Sequence, residues 1–329
     1  MTVAPTTDEG FAFTPLPGSI APVEDAAFAA AVRAGAPLIS GPLGSLSQLP
    51  GTWVGQGFNS IWRPSDITHG GQDRFLELNL TSETLAFHEI PGDIPNRGLL
   101  MPDITMRGLT SMQQISERSD ATQGLHIEPG VWAHVPHTTN PAEPATVVRM
   151  GSIPHGTTIL AQGRGTVVNG PPTIPDNNII PFGVGSPPPP NSAFPVQEAN
   201  FPEMNLGVPT PFRFESPGVT QEMVKNPNSV LQQAIAGQTI EKTLVISIST
   251  LPTPVKGGGT ANTAFLTAAT FPPGGNAKCV EMSATFWIEI VKGQGGKPDS
   301  LQLQYSQLVQ LDFNELRWPH VTVATLTKQ

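Results

Sequence analysis

Residues 301–327 read LQLQYSQLVQLDFNELRWPHVTVATLT, and this stretch decides the fold. In residues 301–313 the odd positions are mostly apolar and the even positions mostly Gln, Ser or Asp, the period-two pattern of a half-buried strand. Residues 314–319 have turn-like character, and the β-branched run 320–327 predicts a second strand. The two strands form a closing hairpin with His320 at the first position of the terminal strand. His320 shares a face with Thr322, Ala324 and Leu326, and the alternation leaves open whether this face lines the inside of a barrel or its outside.

The composition favours many short strands joined by turns. The 329 residues include 36 Pro and 33 Gly, and only 13% of them are charged. A chain of this length can bury a sizeable core, as one large β domain or as two smaller ones. The net charge of −9 is scattered along the chain, which argues against nucleic acid or an anionic membrane as a partner.

Cysteine usage and hydropathy bear on the cellular location. Cys279 is the only cysteine, which excludes an internal disulfide and a cysteine-based zinc site. The first residues lack the basic and apolar regions of a signal peptide, and no apolar run approaches membrane-spanning length. We therefore expect a cytoplasmic protein without membrane insertion. The oligomeric state stays open, a homodimer included.

The order of elements predicts one barrel domain with additions. Residues 1–45 read as a surface arm followed by an Ala-rich helix at 23–34. Residues 46–329 read as a single barrel domain, interrupted at about 165–240 by a Pro/Gly-rich insert with a short helix at 227–236. Strands separated mainly by turns, with few helices, indicate a mainly β protein with an antiparallel barrel or sandwich. Besides the hairpin, strand patterns occur at 51–57, 75–90, 108–116, 125–135 with a bulge at 129–130, 146–153, 157–162, 244–250, 263–270 and 279–291.

Three segments, in this order, resemble the nitrobindin family of haem-binding β-barrels, which are related in architecture to lipocalins and fatty-acid-binding proteins. Residues 51–57 (GTWVGQG) are similar to the opening strand of the family, GTWxGxG. Residues 125–130 (LHIEPG) are similar to its MHxESG segment, with Leu for Met and Pro for Ser. Residues 319–326 (PHVTVATL) resemble its closing strand, in which PHLxAxL carries the axial haem histidine.

The resemblance implies a mainly β, antiparallel calycin-like β-barrel. It further implies haem b bound in the barrel, with His320 as the axial ligand of the iron. It also implies that Leu125 and His126 lie near the haem, and that Ile153 and His155 approach the pocket. The implied chemistry uses diatomic, nitrogen-oxide or peroxide ligands, as in a peroxynitrite isomerase or a peroxidase-like protein. Whether the protein is an enzyme stays open. Haem iron needs a neutral imidazole on a rigid element inside an apolar pocket.

Two other classes of function stay open. In one, the barrel is a non-enzymatic carrier of a small, apolar, fatty-acid-like molecule, which predicts a cavity with an Arg near its base and His320 turned away. In the other, side chains or the insert fill the barrel, and the protein acts as a structural or interaction module without an inner cavity. Arg97, Arg107 and Arg149 could pair with haem propionates or a fatty carboxylate, or be ordinary strand charges.

A metal site without haem is a further alternative. His126, Glu128 and His134 share one strand face, and a carboxylate with histidines can ligate a metal ion. Their spacing matches no defined metal motif, and neighbours on a strand often form only a hydrogen-bonded polar face.

Overall fold

The computed structural model describes residues 37–65, 73–153, 156–186, 200–252, 257–267, 276–295 and 297–329. Ten long strands form its framework and are numbered in chain order. They are β1 (Gly51–Pro64), β2 (Arg74–Glu89), β3 (Ile104–Glu117), β4 (Gly124–Val135), β5 (Thr146–Ile153), β6 (Thr157–Asn169), β7 (Ile240–Ser249), β8 (Lys278–Val291), β9 (Ser300–Phe313) and β10 (Leu316–Lys328).

The ten strands form a closed antiparallel barrel, which confirms the predicted mainly β fold. Each strand pairs with the next one in the chain, and β1 pairs with β10, from Trp53 opposite Lys328 to Ser60 opposite Val321. Gly55 and Gly57 allow the close approach of these two strands, because a Cβ at either would lie 2.1 Å from a carbonyl oxygen of β10. Closure removes the open sheet edges at which other chains could pair.

The closing hairpin is confirmed, but its turn is shorter than predicted. Phe313 pairs with Leu316, so only Asn314 and Glu315 connect the strands, both with positive φ (48° and 62°). Pro319 lies within β10 and not in a turn, and His320 is therefore not the first residue of the strand. The proline is tolerated because β10 pairs with β1 only from Val321 onward, so no ladder bond is lost on that side.

An apolar core fills the part of the barrel nearest residues 37–50. Trp53, Phe87, Trp132, Phe286 and Leu326 come from five different strands and are all buried in this core. The turns of residues 37–50 close this end of the barrel, and the indole nitrogen of Trp53 donates a hydrogen bond to the carbonyl of Leu49 (2.8 Å). These turns contribute four buried leucines to the core, namely Leu38, Leu43, Leu46 and Leu49.

A second apolar core lies outside the barrel, where the insert covers β1, β2 and β10. Outward-facing Trp62, Leu78 and Val321 pack there against Phe201 and Ile179 of the insert. The indole nitrogen of Trp62 donates to the carbonyl of Ile179 (2.9 Å). The insert is thus held to the wall by burial of large apolar side chains, each of which contributes roughly 1.5–3 kcal/mol.

The smaller elements lie in the insert and in the loops. The predicted helix at 227–236 is confirmed as the helix Ser229–Ile235, whereas the predicted strand at 263–270 is wrong, because Ala264–Thr267 form a helix. Residues 268–270, the predicted helix at 23–34 and the arm before it lie outside the described residues. The helices are α1 (Gln221–Lys225), α2 (Ser229–Ile235), α3 (Ala264–Thr267) and the 3-10 turn Pro202–Met204, and the short strands are Ile94–Asn96, Thr138–Thr139, Ala142–Glu143, Phe182–Gly183, Arg213–Glu215 and Gly259–Asn262.

Two further details differ from the sequence prediction. Strand β6 continues to Asn169, so the irregular insert begins after that residue. The pairing of β3 with β4 runs without interruption through Pro129 and Gly130, and the expected bulge there is wrong. The register shifts beside Leu125 instead. In the part of the chain that the structure covers, no helix is long and apolar enough to span a membrane.

Candidate functional site

A buried tyrosine of β9 reaches the opposite wall of the barrel. The Tyr305 hydroxyl donates to the Glu83 carboxylate on β2 and accepts a hydrogen bond from Nε2 of Gln113 on β3 (2.9 Å). Thr81 donates a second hydrogen bond to Glu83 (2.9 Å). Burial raises the pKa of Glu83 to about 7, although these hydrogen bonds lower it. The carboxyl group of Glu83 is therefore neutral in mildly acidic solution.

The raised pKa of Glu83 predicts a loss of stability with rising pH. An unfolded Glu ionises near 4.5, whereas folded Glu83 holds its proton up to about pH 7, so the folded state binds more protons between these values. This contribution is fully present below pH 4.5 and is lost as the pH rises to 7, by about 3 kcal/mol for this shift. We expect Glu83→Gln to lose less stability than wild type over this range, as measured by urea unfolding at a series of pH values. Equal slopes for both proteins would contradict this prediction.

The control for this pH experiment is Glu289, whose pKa is also raised to about 7 by burial, under the insert outside the barrel. Glu289→Gln should also reduce the loss of stability between pH 4.5 and 7, independently of Glu83→Gln. The buried Glu128 does not interfere, because its pKa of about 2 places its own effect below pH 4.5.

A buried arginine of β5 forms a second connection across the barrel. Arg149 donates to Glu128 on β4 (2.8 Å) and to Oε1 of Gln307 on β9 (2.7 Å). Its guanidinium carbon lies 5.4 Å from the ring centre of Trp132 and 5.8 Å from that of Phe286. Burial alone would raise the pKa of Glu128, but the charge of Arg149 and the neighbouring His126 lower it to about 2. Arg149 and Glu128 therefore form a buried ion pair.

The proposed axial histidine, His320, lies in the inward-facing register of β10. Val309 of β9 is its pairing partner, and Nε2 of His320 lies 2.9 Å from Nδ2 of Asn59 on β1. The same Asn59 amide donates to the hydroxyl of Thr322 (2.7 Å). The sequence prediction that His320 shares a face with Thr322 is confirmed. Nε2 of His320 accepts a hydrogen bond from the side-chain amide of Asn59.

The other predicted site residues lie in different surroundings. His126 is mostly buried on β4, with Nε2 3.5 Å from Glu128. Leu125 is half-buried at the register shift, where Ile115 pairs with His126 and Ser116 with Gly124. Ile153 packs against the inner core from the end of β5, and His155 lies outside the described residues.

The structure does not bring His126, Glu128 and His134 together as a metal site. Within residues 37–329, apart from the undescribed gaps, no group of three or more His, Cys, Asp or Glu side chains could hold a metal ion. The ring of His134 packs against Gly44 at the closed end, where burial lowers its pKa. Arg97 pairs with Asp103 (2.5 Å) and Arg107 with Asp93 (2.6 Å). Both arginines are therefore already engaged with carboxylates of the protein.

The contacts across the middle of the barrel bear on the fit of haem. The rings of Trp132 and Phe286, from β4 and β8, have centres 5.1 Å apart in an edge-to-face arrangement. Tyr305 stacks on Phe286 with ring centres 5.5 Å apart. A macrocycle in this part of the barrel would have to displace these rings and the Arg149 ion pair. Haem ligation by His320 stays a prediction, and the middle of the barrel as arranged does not fit the macrocycle.

A groove of about 620 Å³ lies outside the barrel, between the wall and the start of the insert. Its floor is the outward face of β6 to β9, and Pro175, Asp176, Asn177 and Asn228 form one side. The size is typical of a small-molecule site. The sequence analysis did not predict this groove. The sequence feature that could have indicated it is a serine or threonine at every second position in neighbouring strands. Those hydroxyl residues are Ser247, Ser249, Ser283, Thr285 and Ser306, which line the groove.

Comparisons with known proteins do not assign this chain to a family. No protein-family model matches its sequence, and no curated protein matches it either.

Proposed function

We propose that this protein is a non-catalytic binding protein, in which a filled barrel serves as the rigid scaffold for a ligand groove on its outer wall. The observation that supports this proposal is the set of side-chain contacts across the barrel. Tyr305 joins β9 to β2 and β3, and Arg149 joins β5 to β4 and β9. These connections occupy the volume in which a haem or a fatty chain would lie.

The state of Arg149 also argues against a fatty-acid carrier. A carrier needs an arginine that is available to the carboxylate of its ligand. Arg149 is buried inside the barrel, but its guanidinium is already neutralised by Glu128 and packed against Trp132 and Phe286. A fatty carboxylate would have to compete with a buried ion pair, whose disruption is costly.

The outer groove provides the space that the inside of the barrel lacks. It is open to solvent along a wall whose backbone is fixed on both sides by strand pairing. The insert that forms its rim is anchored by the outer apolar core. A groove on a rigid wall is preorganised, which reduces the entropy lost on binding.

Hemin titration of the purified protein tests the proposal. We expect weak hemin uptake that is equal in wild type and His320→Ala, as measured by visible absorption. His88→Ala is the matched control, because His88 is an exposed histidine of β2. Stoichiometric binding with a sharp Soret band that is lost in His320→Ala and kept in His88→Ala would overturn the proposal in favour of a haem protein.

A further inference from the structure

The floor of the outer groove is a regular grid of hydroxyl groups. Ser247, Thr285 and Ser306 are consecutive partners across β7, β8 and β9, and the hydroxyls of Ser247 and Thr285 lie 3.3 Å apart. Ser249 pairs with Ser283 in the next row on the same face. Neighbouring strands are about 4.8 Å apart. The strand positions that carry these hydroxyls are therefore spaced at an interval comparable with the width of one sugar ring.

A buried amide supports the rim beside this floor. Asn228 is 2% exposed and lines the groove. Its Nδ2 donates a hydrogen bond to the carbonyl of Pro175 (2.7 Å). This bond connects the two parts of the insert that form the rim, because Pro175 and Asn228 are 53 positions apart in sequence.

The charges around the groove indicate a neutral ligand. Arg164 and Asp176 contribute one charge of each sign, so the lining residues carry no net charge. A phosphate or carboxylate ligand would need an excess of positive charge. Serine, threonine and asparagine side chains donate and accept hydrogen bonds, which matches the hydroxyls of a polyol. The apolar Val245 and Leu308 between them can contact the C–H face of a sugar ring.

We infer that the groove binds a short neutral carbohydrate, of a size that fits about 620 Å³. This inference rests on the proposed function and names the ligand class of the same groove. The ligand lies across β7, β8 and β9 and exchanges hydrogen bonds with the hydroxyls of Ser247, Thr285 and Ser306.

The test uses the full chain and three probes, the trisaccharides of glucose, mannose and galactose, in amide NMR titrations. We expect at least one trisaccharide to cause saturable shift changes at Ser247, Thr285 and Ser306. Ser247→Trp, at an exposed strand position, should block the groove and abolish these changes. Thr285→Val keeps the shape of the side chain and removes its hydroxyl, and should weaken binding roughly five- to tenfold.

Thr84→Val is the matched control, because Thr84 is likewise half-buried on the outward face of a strand, β2, away from the groove. It should leave binding unchanged. If no trisaccharide shifts the groove amides, or if Ser247→Trp binds as wild type does, the carbohydrate inference is overturned. That result would concern the ligand class only, and the proposed function would still be tested by the hemin titration. Saturable changes at Glu128 and Arg149 inside the barrel would overturn both.

Discussion

Replacing Arg149 with methionine should lower the free energy of unfolding by about 3–5 kcal/mol. The substitution keeps much of the buried volume but leaves Glu128 as an uncompensated charge inside the barrel. It also removes the donor to Gln307 and the stacking partner of Trp132 and Phe286. Denaturant unfolding monitored by tryptophan fluorescence measures the effect. The loss should be greatest at neutral pH, where Glu128 with its low pKa is ionised in the wild type.

The double variant Glu128→Leu/Arg149→Met separates the charge from the packing. An apolar pair of similar volume often replaces a buried ion pair without loss, so the double variant should recover most of the stability. A double variant as unstable as the single one would show that packing and the bond to Gln307 outweigh the unpaired charge.

A further probe is Gly151→Ala, because a Cβ there would lie 2.1 Å from Oε1 of Glu128 and push the carboxylate away from Arg149.

Trp132→Ala should destabilise the protein by about 3–5 kcal/mol and open a cavity in the middle of the barrel. Trp132 is fully packed between Phe87, with ring centres 6.0 Å apart, and Phe286, with ring centres 5.1 Å apart. Because the surrounding strands are fixed by closure, the walls cannot collapse into the space. Added indole should therefore bind in the cavity and raise the midpoint of thermal unfolding of the variant, and it should leave the midpoint of the wild type unchanged.

The control for the cavity is Trp132→Phe, which leaves most of the aromatic contacts and should cost less than Trp132→Ala. A loss of under about 1 kcal/mol for Trp132→Ala, without rescue by indole, would mean that the centre of the barrel is loosely packed. That result would reopen the barrel interior as a site for a ligand.

The strands could be predicted from sequence because their alternation is strong, but the direction of each face could not. In β2 the apolar residues Leu76, Leu78 and Leu80 alternate with polar ones, and this alternation does not say which side faces the inside of the barrel. The leucines lie in the outer core under the insert, and Asn79, Thr81 and Glu83 face inward. The period of two fixes only that two faces exist. The covering insert, which has no regular pattern, decides which of the two is outside.

The inner contacts could not be predicted for a different reason. Tyr305 and Glu83 are 222 positions apart in sequence, and nothing in either strand indicates that they meet. The alternation of the last strand places His320 on one face with Thr322, but it does not determine that this face is the inward one. The short helix α3 could not be predicted, because a run such as residues 263–270 is too short for its period to separate helix from strand.

Closure of the barrel by its first and last strands has a consequence for synthesis. Asn59 and Thr322, which meet across that seam, are 263 positions apart in sequence. A ribosome therefore releases almost the whole chain before the seam can form, and until then β1 and β9 are unprotected edges that can pair with other nascent chains. A fold with such distant pairings assembles slowly. A premature stop that removes only the final strand would leave an unclosed sheet, and it would also remove the part of the outer core that β10 supplies to hold the insert.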